Sequence, residues 1–129
     1  MIKDIEFILY VSDQERSKNF YSKVLGMEPV LHVAGMTEFL LSPGVKLGLM
    51  PEKGINKILA GKTPDPATGN GIPRCELYLK TNSTDEYMHR AMNEGAILVS
   101  HPSDRDWGDR VGYVMDPDGH IIAFAGKIY

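Results

Sequence analysis

The sequence predicts an α+β fold made of two tandem βαβββ modules, on three grounds. Two stretches share one form, an apolar strand followed by a Ser-x-x-Glu box and an amphipathic helix; the boxes are Ser12-Asp13-Gln14-Glu15 and Ser83-Thr84-Asp85-Glu86. Their landmarks keep a near-constant spacing, 70 residues from Glu6 to Glu76, 71 from Ser12 to Ser83 and 69 from Gly26 to Gly95, as a duplicated module should. Between the two, from Pro51 to Pro73, the composition shifts to Gly, Pro, Lys, Asn and Thr, a linker signature.

Each element follows from its local pattern. Ile5 to Val11 is rich in β-branched and aromatic residues and reads as a strand. Ser17, Phe20, Tyr21, Val24 and Leu25 recur at helical spacing, and Gly26 supplies the stop. Three short apolar runs follow, near Pro29 to Val33, Thr37 to Leu41 and Val45 to Met50, divided by Ala34-Gly35 and Ser42-Pro43-Gly44. Inside the linker, Ile55 to Leu59 reads as one helical turn. The second module repeats the scheme: a strand at Cys75 to Lys80, a helix marked by Tyr87, Met88, Ala91 and Met92, and strands at Ile97 to Val99, Val111 to Met115 and Ile121 to Ala125. Asp116-Pro117-Asp118-Gly119 is the last turn. The expected organisation is a single domain, 1–129, with module 1 over about 1–50, the linker over about 51–73 and module 2 over about 74–129.

Composition removes several function classes. With 129 residues, a formal charge of −3 and 43% hydrophobic residues, the chain has the profile of one globular domain. Its lone cysteine, Cys75, excludes an internal disulfide and any zinc site built on two cysteines of one chain. The apolar run Phe7 to Val11 is too short for a signal-peptide core or a membrane span, so a cytoplasmic protein without membrane contact is expected. Lys and Arg are scattered among more numerous acids, which argues against nucleic acid as a partner.

Two runs, Glu6 to Gly26 and Trp107 to Phe124, resemble the vicinal oxygen chelate superfamily, which includes glyoxalase I, bleomycin and fosfomycin resistance proteins and extradiol dioxygenases. The paired signatures are Asp13, Phe20-Tyr21, Leu25-Gly26 and Asp116-Pro117-Asp118-Gly119-His120. The resemblance implies that the two modules curl into a partly open barrel around a cavity, commonly in a homodimer. It also implies four metal-ligand positions in metal-using members, two per module. Carried over one at a time, they fall on Glu6, Gly48, Glu76 and Ala123. Neither Gly48 nor Ala123 can bind a metal. The expectation is therefore no complete metal site and no cofactor, with Mg2+ or Mn2+ held weakly at Glu6 and Glu76 if at all. The histidines His32, His89, His101 and His120 do not make up the deficit.

Period-two alternation then assigns faces. If Glu6 faces inward, so do Ile8 and Tyr10, with Phe7, Leu9 and Val11 beneath the helix. If Glu76 faces inward, so do Tyr78 and Lys80, with Cys75, Leu77 and Leu79 in the core. Gly48, Met50, Ile121, Ala123 and Ala125 join the inner face, which predicts a roomier, more apolar cavity. Glu6 and Glu76 are also the candidate catalytic acids, because a carboxyl raised toward neutrality suits a general base; the plainer reading pairs them with Lys80 or Arg110. Asp106-Trp107-Gly108-Asp109-Arg110 resembles the Trp-Gly-x-Arg element of bleomycin-resistance-type members. It reads equally as a ligand-stacking element or as a cap in which Arg110 ties down Asp106 or Asp116. The expected ligand contacts are Ile8, Tyr10, Met50, Tyr78, Lys80, Trp107, Arg110 and Tyr113, with the aromatic residues offering cation–π faces to a small aromatic or cationic molecule. Two further functions stay open: a Mg2+- or Mn2+-dependent lyase or isomerase of the glyoxalase type, and a non-catalytic interaction module.

Overall fold

The structure is a computed structural model that describes every residue up to Ile128. The chain forms two compact units, one over residues 1–70 and one from Gly71 onward.

The first unit runs β1 (Ile5–Val11), α1 (Gln14–Leu25), β2 (Leu31–Val33), β3 (Met36–Ser42), β4 (Val45–Pro51) and α2 (Glu52–Leu59), followed by a 3-10 turn at Pro66–Gly69. Its sheet has the order β1-β4-β3-β2, with β1 parallel to β4 and the other pairs antiparallel. α1 lies on β3 and β4 and buries Ser17, Phe20, Tyr21, Val24 and Leu25. Each large apolar side chain removed from water there contributes roughly 1.5–3 kcal/mol. The helix cap is Asp13, whose carboxylate accepts from Arg16 N at 2.9 Å, and Ser12 instead accepts from the Arg16 guanidinium at 2.8 Å. Gly26 ends the helix in the left-handed conformation.

The β2–β3 hairpin is tied to the helix by polar groups. Gln14 Nε2 donates to Val33 O at 2.8 Å and to buried Thr37 Oγ1 at 2.9 Å, and Gly35 N donates back to Gln14 Oε1 at 3.1 Å. His32 bridges Thr37 Oγ1 at 2.7 Å and Glu15 Oε2 at 3.0 Å, a structural role. The segment read as a linker begins as a two-turn helix: α2 follows β4 directly, longer than the single turn expected, and buries Ile55.

The second unit repeats the plan with β5 (Glu76–Lys80), α3 (Thr84–Asn93), β6 (Ile97–Asp104), β7 (Asp109–Met115) and β8 (Ile121–Lys127), in the order β5-β8-β7-β6. Ser83 precedes α3, but its side chain makes no cap hydrogen bond, so the second capping box does not form. Buried Asp116 organises the last turn, its Oδ1 accepting from Asp118 N at 2.9 Å and His120 N at 2.8 Å. Cys75 is exposed, where alternation had placed it in the core, because β5 begins one residue later at Glu76. Phe7 is also exposed, since β1 is an edge strand and only Leu9 and Val11 on that face are covered. Among the described residues no helix is long and apolar enough to cross a membrane.

Candidate functional site

In each unit one sheet face carries the helix and the other carries the residues singled out from the sequence. In the first sheet the registers Ile8↔Gly48, Tyr10↔Met50 and Glu38↔Gly48 put Glu6, Ile8, Tyr10, Glu38, Gly48 and Met50 on the face away from α1. The space that Gly48 vacates is filled. A Cβ there would lie 2.5 Å from Glu6 Oε2 and 3.1 Å from Ile8 Cγ1, so the Glu6 carboxyl rests directly over the glycine.

Within its own unit Glu6 faces another acid. Its partner is Glu38, with Lys46 Nζ 3.6 Å from Glu38 Oε1. The residue as a whole is exposed, yet its carboxyl tip loses water against Gly48 and Ile8. That desolvation, followed by a hydrogen bond to Glu38 and repulsion from it, holds the Glu6 pKa above the ordinary carboxylate value, while Lys46 pulls it down. A proton retained on Glu6 is donated to Glu38. Sequence reasoning missed Glu38, although it alternates with Met36 and Leu40 along β3.

A raised folded-state pKa means that stability from this group is fully present below the unfolded pKa and is lost as pH rises through the folded one. Glu6→Gln, neutral at every pH, is therefore expected to flatten the stability profile above the ordinary carboxylate range. The gain near neutrality should be about a few tenths of a kcal/mol, the scale of partly solvated charge pairs. Chemical denaturation at pH 4 and pH 7 checks this; an unchanged pH slope would contradict the Glu6–Glu38 contact.

In the second sheet the registers Tyr78↔Ala123, Lys80↔Ala125 and Tyr113↔Ala123 put Glu76, Tyr78, Lys80, Val111, Tyr113, Ala123 and Ala125 together on the face away from α3. Val111, Ala123 and Ala125 are fully buried, with Tyr78 and Tyr113 packed against them. The alanines thus seat tyrosine rings within this sheet. At the rim stands Trp107, 60% exposed. Its indole Nε1–H donates to Tyr78 Oη at 2.8 Å, and Tyr78 Oη–H donates to Asp109 Oδ2 at 2.6 Å. Burial first, and then the hydrogen bond to Asp109, raise the Tyr78 pKa above its ordinary value, so the phenol keeps its proton at neutral pH.

Arg110 is not part of this group. It alternates with Val111 and so stands on the α3 side, 3.4 Å from Asp104, not tied to Asp106 or Asp116. The guanidinium near the aromatic cluster belongs to Arg105, which the sequence reading passed over. It lies 5.2 Å from the Tyr113 ring centroid and donates to Ser100 Oγ at 2.9 Å and Val111 O at 3.0 Å. Arg110 instead borders a polar hollow of about 470 Å3 at the start of α3, with Asn82, Ser83, Asp85 and Lys127. Its charged walls are unlike the apolar enclosure that holds organic ligands.

The residues do not fit a metal ion. Each unit brings one oxygen donor to the two positions assigned to it, Glu6 beside Gly48 and Glu76 beside Ala123. Glu6 is committed to Glu38, and Ala123 lies under two tyrosines. Among the described residues no three His, Cys, Asp or Glu side chains converge.

The chain belongs to the Glyoxalase/Bleomycin resistance protein/Dioxygenase superfamily, whose family model matches residues 5–124. An uncharacterized protein of Mycobacterium bovis is 30% identical over 115 residues, covering 87% of this chain and 75% of that protein. Among solved structures, a glyoxalase-related enzyme from Fulvimarina pelagi is similar at 22% identity and TM-score 0.82, covering 98% of this chain and 89% of that one. A family enzyme from Burkholderia phytofirmans reaches TM-score 0.78 at 11% identity, with 98% of each chain covered. At these identities the structural likenesses establish the fold alone.

Proposed function

We propose that this chain is a metal-independent, ligand-binding member of its superfamily that receives a planar, cationic organic molecule against Trp107. The observation that carries the reading is an indole that is both exposed and fixed: Trp107 is 60% exposed while its N–H is already engaged by Tyr78. Such a ring offers a ligand only its flat face. That favours stacking, and most strongly with a delocalised cation, since the indole face is negative and buried Asp109, bonded to the same phenol, adds to the field. Tyr113, Lys80 and Tyr78 share that sheet face, and Ile8, Tyr10 and Met50 sit on the corresponding face of the first sheet. Arg110, on the opposite face, has no part in the reading.

The test is a titration with N-methylquinolinium, with neutral quinoline as the control. The cation is expected to quench Trp107 saturably in roughly the high-micromolar to millimolar range, and quinoline more weakly. Calorimetry on Trp107→Leu should show affinity reduced roughly tenfold, the scale of a desolvated cation–π contact. Equal affinity in the variant would overturn the reading.

The reading includes a homodimer and a cytoplasmic setting. Ile8, Leu31, Val33 and Leu40 are exposed on the first sheet, an apolar surface of the kind self-association covers, and an exposed free thiol at Cys75 suits a reducing compartment. A second reading is favoured by one observation. The Glu6–Glu38 pair holds a carboxyl above its ordinary pKa, which suits proton transfer in a lyase or isomerase, with Glu6 as the acid and no metal involved.

A further inference from the structure

We infer that Tyr78 and Asp109 are positioning residues for Trp107, forming a hydrogen-bonded brace that fixes the plane of the indole a ligand would stack on. The inference rests on the proposed stacking role of Trp107 and deepens it. The brace crosses three strands: Tyr78 is on β5, Asp109 opens β7, and β8 runs between them. Tyr78 spans the gap because the residues of β8 beneath it are Ala123 and Ala125, over which its ring packs. A longer side chain at either position would stand in its path.

Each link is used once and in one direction. Asp109 is 8% exposed and accepts from the phenol, which fixes the Tyr78 hydrogen and turns an oxygen lone pair toward Trp107 Nε1–H. The Trp107 backbone is held too. Arg105 N donates to Asp109 O at 2.8 Å, Gly108 N to Arg105 O at 3.1 Å and Ile128 N to Gly108 O at 3.2 Å. With the backbone around it hydrogen-bonded and its N–H engaged, the indole is restrained despite its exposure, which lowers the ordering cost of binding at that side chain.

Trp107 is the sole tryptophan, so its fluorescence reports this brace alone. The experiment measures time-resolved indole anisotropy in the native protein, Tyr78→Phe and Asp109→Asn, and N-methylquinolinium affinity by calorimetry in these and in Trp107→Leu. Tyr78→Phe is expected to add a fast local motion of the indole and to weaken binding roughly fivefold to tenfold. Asp109→Asn should keep the indole still, since an amide oxygen accepts the same phenolic hydrogen. On the native protein, NMR exchange of the indole N–H should be slowed well below that of a free indole. Fast exchange there, or an indole equally still in Tyr78→Phe, overturns the brace. If Trp107→Leu weakens binding and Tyr78→Phe does not, the positioning role fails while the stacking reading stands. Binding unchanged in Trp107→Leu removes the stacking reading, and with it the role assigned to the brace.

Discussion

Phe124→Ala is expected to destabilise the second unit by about 3–5 kcal/mol, the cost of deleting a buried ring and leaving part of its volume empty. Phe124 is fully buried at the centre of β8, paired with Leu79 on one side and Gly112 on the other. Its ring stacks on Tyr87 of α3 at 5.4 Å between centroids, so it is a main link between helix and sheet. The neighbouring position on β7 is Gly112, which has no side chain of its own and lies against the Met88 thioether. Thermal unfolding should show a midpoint lower by roughly 10–20 °C. A drop of less than about 1 kcal/mol would mean that α3 is held mainly by something else.

Gly119→Ala is the second large effect, with an expected cost of at least about 2 kcal/mol. Gly119 has φ +92°, where a side chain is strained, and an added Cβ would lie 2.5 Å from Gly71 O and 2.7 Å from Gly71 Cα. Both obstacles are backbone, which cannot swing aside as a flexible side chain does. Gly95 provides the control, since its φ is +90° and nothing lies within 4 Å of its added Cβ. Gly95→Ala should therefore cost only the conformational part, about 1 kcal/mol. The difference between the two variants, read by denaturant unfolding, measures the approach of Gly71; equal losses would contradict that contact.

Much of the fold was legible because it rests on periodicity and turn chemistry. The β1 bounds, the buried face of α1, the left-handed Gly26 and the turn at Asp116 to Gly119 follow from local pattern. Neither capping box was, since Asp13 and not Ser12 caps α1 and Ser83 makes no cap bond; a Ser-x-x-Glu string does not say which residue takes the cap position or whether the serine adopts the capping rotamer. The strand faces were legible in part: Tyr78 and Ala123 share a face, whereas Phe7 and Cys75, read as core, are exposed.

What fills those faces was not legible. Gly48 and Ala123 predict room when each strand is read alone, yet the room is taken by Glu6 in one sheet and by tyrosine rings in the other. Both outcomes depend on cross-strand neighbours, which register fixes and sequence order does not. Asp109 was hidden for a similar reason. Read within a charged loop it looks solvated, whereas as the first residue of β7 it alternates with Val111 and Tyr113 toward the buried side. Arg110 was put on the wrong face by a one-residue phase of β7, and Arg105, in the loop before that strand, was passed over because no period places a loop side chain.

The most direct test of metal-independent ligand binding is calorimetric titration of chelator-stripped protein with N-methylquinolinium, before and after addition of Mn2+. The account predicts one site per chain in stripped protein, unchanged by Mn2+ and by Glu6→Gln and weakened by Trp107→Leu. Binding that requires Mn2+ and disappears in Glu6→Gln would contradict it.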